Sequence, residues 1–84
     1  GARRRRRELF INSILDDVSI LPLDLNVARV HAQLWADLQR RGLMIGRHDL
    51  IIAATAVTHG LVVLTHNVRE FNRVPGLSVQ RADF

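Results

Sequence analysis

Gly42 to Gly76, GLMIGRHDLIIAATAVTHGLVVLTHNVREFNRVPG, is the stretch from which the fold can be read. Within it, Leu50 to Val57 (LIIAATAV) is apolar on nearly every face of a helix, and Gly60 stands where a helix needs a left-handed terminal residue. The spacing predicts a buried helix. Ala53, Ala54 and Ala56 are small enough to bring its backbone close to a sheet, while Ile51 and Ile52 supply bulk on other faces. Leu61 to Leu64 (LVVL) follows as an unbroken apolar tetrad with a β-branched centre, the pattern of a strand covered on both sides. Helix, glycine and buried strand read as one arm of a parallel α/β sheet. Two polar residues frame this arm: Asp49 opens the helical run and Asn67 follows the strand. In a parallel unit both lie at the same edge of the sheet, where ligands bind.

Working outward, Leu25 to Arg41 reads as a helix with Asp24 as its N-cap and Gly42 as its end. Ala28, Leu34, Trp35 and Leu38 are expected among its inward residues. Val18 to Leu21 (VSIL) is a candidate short strand stopped by Pro22. Further upstream, Phe10, Ile11, Ile14, Leu15 and Val18 recur at helical spacing, so Arg4 to Asp17 reads as an amphipathic helix whose Arg-rich start occupies residues 1–7. Its charges oppose the helix dipole, with arginines first and Asp16-Asp17 last. Downstream, Asn67 to Pro75 is expected as loop with at most a brief helical turn, Leu77 to Val79 as the last strand, and Arg81 to Phe84 as a tail.

A chain of 84 residues is one domain or less, and at that size it buries only a little over about 60% of its unfolded surface. Self-association or an exchanged segment is therefore expected. Cysteine is absent, which excludes a disulfide framework and thiolate zinc ligation. Apolar runs fall far short of the roughly 20 residues needed to cross a bilayer, so no membrane role is expected. The net charge of +4 is a local property, because Arg3 to Arg7 are consecutive while the other seven arginines face eight acids. The chain carries a basic patch rather than a basic fold.

Asp49 reads on position alone as an ordinary first-turn acid, favoured there by about 0.3 to 1 kcal/mol. Asn67 reads equally as a turn former. Thr65 points to the same side of the strand as Asn67 and is placed either to hydrogen-bond a carboxylate or phosphate or to pack at the strand end. Glu70 reads as a solvent-facing residue before a packed Phe71. His48 and His66 lack paired metal-ligand spacing and read as exposed histidines. Arg47, Arg69 and Arg73 are expected in loops near the same edge, where they are better placed than Arg3 to Arg7 to grip a nucleic acid. Ser13, Ser19 and Ser78 sit in no nucleophile-elbow pattern.

The ordered set Ile45-Gly46, Asp49, Ile52-Ala53-Ala54, Ala56, Gly60-Leu61, Leu64-Thr65, Asn67, Glu70-Phe71 and Val74-Pro75-Gly76-Leu77 resembles the C-terminal part of the PIN-domain ribonucleases, above all the VapC toxins of toxin–antitoxin pairs. The resemblance covers roughly Leu21 to Val79. It implies a PIN-like parallel sheet flanked by helices, and hydrolysis of RNA phosphodiester bonds by water activated on magnesium, with manganese as the alternative ion. Asp49 then matches a catalytic metal ligand and Asn67 an auxiliary one, with Thr65 and Glu70 as outer supports and Arg47, Arg69 and Arg73 as RNA contacts. A hard cation of this kind keeps several waters, so one or two carboxylates suffice when a phosphate completes the shell. The resemblance further implies a cytoplasmic protein, a VapB-type antitoxin that blocks the site, and a homodimer or segment-exchanged oligomer.

A strand bearing an Asp and a helix bearing a Glu precede this region in the family and have no counterpart in the 84 residues. Residues 1–84 are accordingly expected to be the C-terminal portion of a single PIN domain, an incomplete sheet without its N-terminal strand and early helices, and inactive alone. The competing reading is a nonenzymatic nucleic-acid or protein-binding module that uses the Arg cluster.

Overall fold

The computed structural model describes residues 8–10 and 23–83. Strand β1 (Glu8–Phe10) precedes helix α1 (Leu25–Arg41) and helix α2 (Arg47–His59), after which strand β2 (Val62–Thr65), the short helix α3 (Val68–Phe71) and strand β3 (Ser78–Arg81) complete the order. The three strands form one sheet in the order β1-β2-β3, parallel throughout. Val63, at the centre of β2, is opposite Leu9 on one side and Val79 on the other. A parallel α/β architecture is what the helix–glycine–strand arm predicted.

The helices follow from their local chemistry. Asp24, extended at φ −97°, accepts a hydrogen bond from the Val27 amide at 3.0 Å and so caps α1. Both long helices end in the same way, with Gly42 at φ 69° and Gly60 at φ 65°. At each end the next amide reaches back five residues, Leu43 to the Leu38 carbonyl at 2.9 Å and Leu61 to the Ala56 carbonyl at 2.8 Å. That pairing satisfies carbonyls that a helix end would otherwise leave open.

The core lies where α1 and α2 pack on each other and α2 on β2. Val27, Leu34 and Leu38 of α1 meet Leu50, Ala53, Ala54 and Ala56 of α2, with Val63, Phe71 and Val74 below. Ala53, Ala54 and Ala56 are fully buried, which confirms α2 as the interior helix. Ile51 departs from that reading and is exposed at its edge.

Four expectations are corrected. Ala28 and Trp35 are exposed, because the buried stripe of α1 runs through Val27, Leu34 and Leu38 and these two lie about 80–100° around the helix from it. Glu8–Phe10, expected inside an amphipathic helix, is a strand: the apolar β2 has backbone donors and acceptors on two edges, and pairing with β1 satisfies the one that β3 leaves open. The last strand starts one residue later than expected and extends to Arg81. Ala82 is no tail residue either, since it is buried and its amide donates to the Thr65 carbonyl at 2.9 Å. The Arg run at 3–7 and the candidate strand at 18–21 lie outside the described residues. Among the described residues no helix is long and apolar enough to cross a membrane.

Candidate functional site at the sheet edge

Because α2 runs back across the sheet before β2 returns, the first turn of α2 and the end of β2 meet at one edge. Asp49 is in that first turn, half-buried. Asn67 is the residue immediately before α3, exposed, and it leaves β2 through a tight local bond: its amide donates to the Thr65 hydroxyl at 2.9 Å. Thr65 itself is buried.

Glu70 joins these two residues. Its Oε1 accepts from the Gly46 amide at 3.1 Å and its Oε2 from the Asn67 side-chain amide at 3.1 Å. A Cβ built on Gly46 would stand 3.8 Å from Asp49 Oδ2 and 4.0 Å from Glu70 Oε1, so the two carboxylates overhang the same glycine. Asp49 and Asn67 therefore do converge, through a residue expected to face solvent. The Glu70 carboxyl is held below its ordinary value of 4.5, first by the Gly46 amide and then by the Asn67 amide. Partial burial works against them, and the Asp49 side chain and the Arg73 guanidinium add to the lowering.

The basic residues divide. Arg47 and Arg69 are exposed, though both are helical rather than in loops: Arg47 opens α2 and Arg69 belongs to α3. Arg73 is half-buried and donates to the Met44 carbonyl at 3.1 Å. His48 and His66 are exposed as expected. Among the described residues no group of three or more His, Cys, Asp or Glu side chains is placed to share an ion, so the acidic part of the site there is the pair Asp49 and Glu70. Two carboxylates with an amide beside them still fit a hard divalent cation that keeps most of its waters.

Gly46 was missed by sequence reasoning as a donor, and Glu70 was underweighted. The one local signal is a glycine where a capping side chain belongs, although the amide that Glu70 takes is that of Gly46 itself and not one of the first-turn amides a cap would serve.

The sequence of residues 1–77 matches the PIN domain family. The chain belongs to the PIN domain family. It is 41% identical over 70 residues to Ribonuclease VapC1 of Rickettsia felis, covering 83% of this chain and 52% of that protein. It is 36% identical over 70 residues to the tRNA(fMet)-specific endonuclease VapC of Salmonella typhimurium, covering 83% of this chain and 53% of that protein. Among solved structures, VapBC2 from Rickettsia felis bound to a DNA fragment from their promoter superposes with a TM-score of 0.72 at 30% identity, over 83% of this chain and 53% of that one. DNA-bound VapBC from Salmonella typhimurium superposes with a TM-score of 0.70 at 41% identity, over 73% of this chain and 46% of that one. This PIN chain spans about half the length of the curated relatives it matches.

Proposed function

We propose that this chain forms part of a VapC-type ribonuclease, the toxin of a toxin–antitoxin pair, which hydrolyses RNA phosphodiester bonds with magnesium or manganese held at Asp49 and Glu70. The observation that carries this reading is the convergence of the two carboxylates over Gly46, with the Asn67 amide on one of them. Relatives named as ribonucleases and endonucleases support the activity, and solved neighbours that are VapBC assemblies support a VapB-type antitoxin as partner. A cytoplasmic setting and a homodimer belong to the same reading.

Asp49 and Glu70 would hold the ion, and Asn67 would orient the Glu70 carboxylate through its Nδ2 while leaving its own oxygen for a water or the ion. Once bound, the ion supplies a lowered pKa for water and charge stabilisation at the phosphate. Gly46 offers an amide that keeps Glu70 ionised and aimed before any cation arrives. Arg47 and Arg69, exposed and each within two residues of one of the acids in sequence, attract the phosphate backbone by sequence-independent charge.

The test is RNA cleavage by the full-length protein that contains these 84 residues, with magnesium, with chelator, and with chelator followed by manganese. Expected is activity that chelation removes and manganese restores, and that Asp49→Asn lowers about a hundredfold, roughly 2.7 kcal/mol. Cleavage indifferent to both chelator and Asp49→Asn would end this reading.

A further inference from the structure

Glu70 and Arg73 lie three residues apart, and both reach across to the link between α1 and α2. Glu70 Oε1 takes the Gly46 N–H at 3.1 Å, and Arg73 Nη1 donates to the Met44 carbonyl at 3.1 Å. The carboxylate thus uses a donor of the link, and the guanidinium uses an acceptor two residues away. These are two rungs between the same two segments. A third contact fixes their base: the Arg73 amide donates to the Glu70 carbonyl at 3.1 Å, which closes the turn between them. The Arg73 carbonyl in turn accepts from Arg41 Nη2 at 2.9 Å, and Arg41 is oriented by Asp37, whose Oδ2 accepts from Arg41 Nε at 2.9 Å. The end of α1, the link into α2 and the turn after α3 are therefore joined through Arg41 and Arg73.

We propose that Arg73 is a positioning residue, which together with Arg41 sets the separation of the Gly46 link from the Glu70 turn, and that it is not a contact for RNA. The inference rests on reading Asp49 and Glu70 as the ion-holding pair. Its physical content lies in what happens when Glu70 is drawn toward a cation: the Gly46 rung weakens, and the Arg73 rung remains to keep the link, and Asp49 three residues beyond Gly46, in place. A guanidinium already committed to a carbonyl and half-buried is poorly available to a phosphate, whereas Arg47 and Arg69 are exposed. This revises the expectation that all three arginines grip RNA.

The experiment compares Arg73→Met and Arg73→Lys with the unaltered full chain by amide hydrogen exchange, manganese titration and RNA binding across salt. Arg73→Met should speed exchange at Gly46 about tenfold relative to Val63, which reports opening of the whole core, and weaken manganese binding about tenfold. Arg73→Lys should recover part of both, and the salt slope of RNA binding should not change. Equal acceleration at Gly46 and Val63 would mean a loss of overall stability and would overturn the inference. So would an unchanged Gly46 with a salt slope smaller by about one, the mark of a lost phosphate contact. If Arg73→Met does not fold, Arg73→Lys and Arg41→Met carry the same comparison at Gly46. Failure of the unaltered chain to bind manganese would defeat the metal reading, while the exchange comparison would still decide the role of Arg73.

Discussion

Helices α1 and α2 end alike and begin differently. Each finishes on a left-handed glycine with the same back-reaching amide, but α1 starts on Asp24, which caps it from within three residues, whereas α2 starts on Gly46, which has no side chain to offer. The Gly46 amide donates to a carboxylate of Glu70, 24 residues later. The first helix is thus begun by its own sequence and the second by the fold. The start that depends on a distant residue is also where the acids gather, so at α2 the contact that orders the helix entrance also aims a carboxylate.

That contrast can be broken most severely at Glu70. Glu70→Gln keeps the shape but removes the charge that the Gly46 and Asn67 amides stabilise, and RNA cleavage by the full-length protein that contains these residues should fall about a hundredfold, roughly 2.7 kcal/mol, in a single-turnover assay. Asp24→Ala touches only the locally written start and should cost about 1 kcal/mol in urea unfolding, with cleavage per folded molecule unchanged. An activity loss larger than the unfolded fraction would show that the two helix starts are not independent.

Acid sharpens the same difference. The folded-state value of Glu70 lies below its ordinary 4.5, so its contribution to stability is complete above that value and declines as pH falls through the lower folded one. Gly46 amide exchange should therefore accelerate on acidification in that window after correction for the intrinsic rate, and Glu70→Gln should flatten the response. The smallest effect is expected from Gly46→Ala. Gly46 has φ −62°, and the added Cβ would meet Asp49 Oδ2 and Glu70 Oε1 at ordinary contact distances of 3.8 and 4.0 Å. Thermal unfolding should shift by no more than a few degrees, equivalent to less than about 1 kcal/mol.

Much of this was legible beforehand because the relevant signals were local. Asp24, Gly42 and Gly60 fix helix boundaries through their own backbone chemistry, and the LVVL run can be satisfied only as a covered strand. The edge shared by Asp49 and Asn67 follows from connectivity alone. What escaped was long-range. Glu70 and Gly46 are separated by 24 residues, and no periodicity couples them. Trp35 was expected inward, although Val27, smaller and fully buried, defines the stripe. Glu8–Phe10 was assigned to a helix by periodicity, where the unpaired edge of β2 prevailed.

The interior of α2 has a further consequence. Ala53, Ala54 and Ala56 are fully buried, so over this stretch the helix is seated against its neighbours by methyl groups that have no rotamer to change. An added carbon there has nowhere to fold away and must translate the whole rod, and Asp49 rides on the rod's tip. Drift at these alanines would therefore detune the acids mechanically, without altering any polar atom.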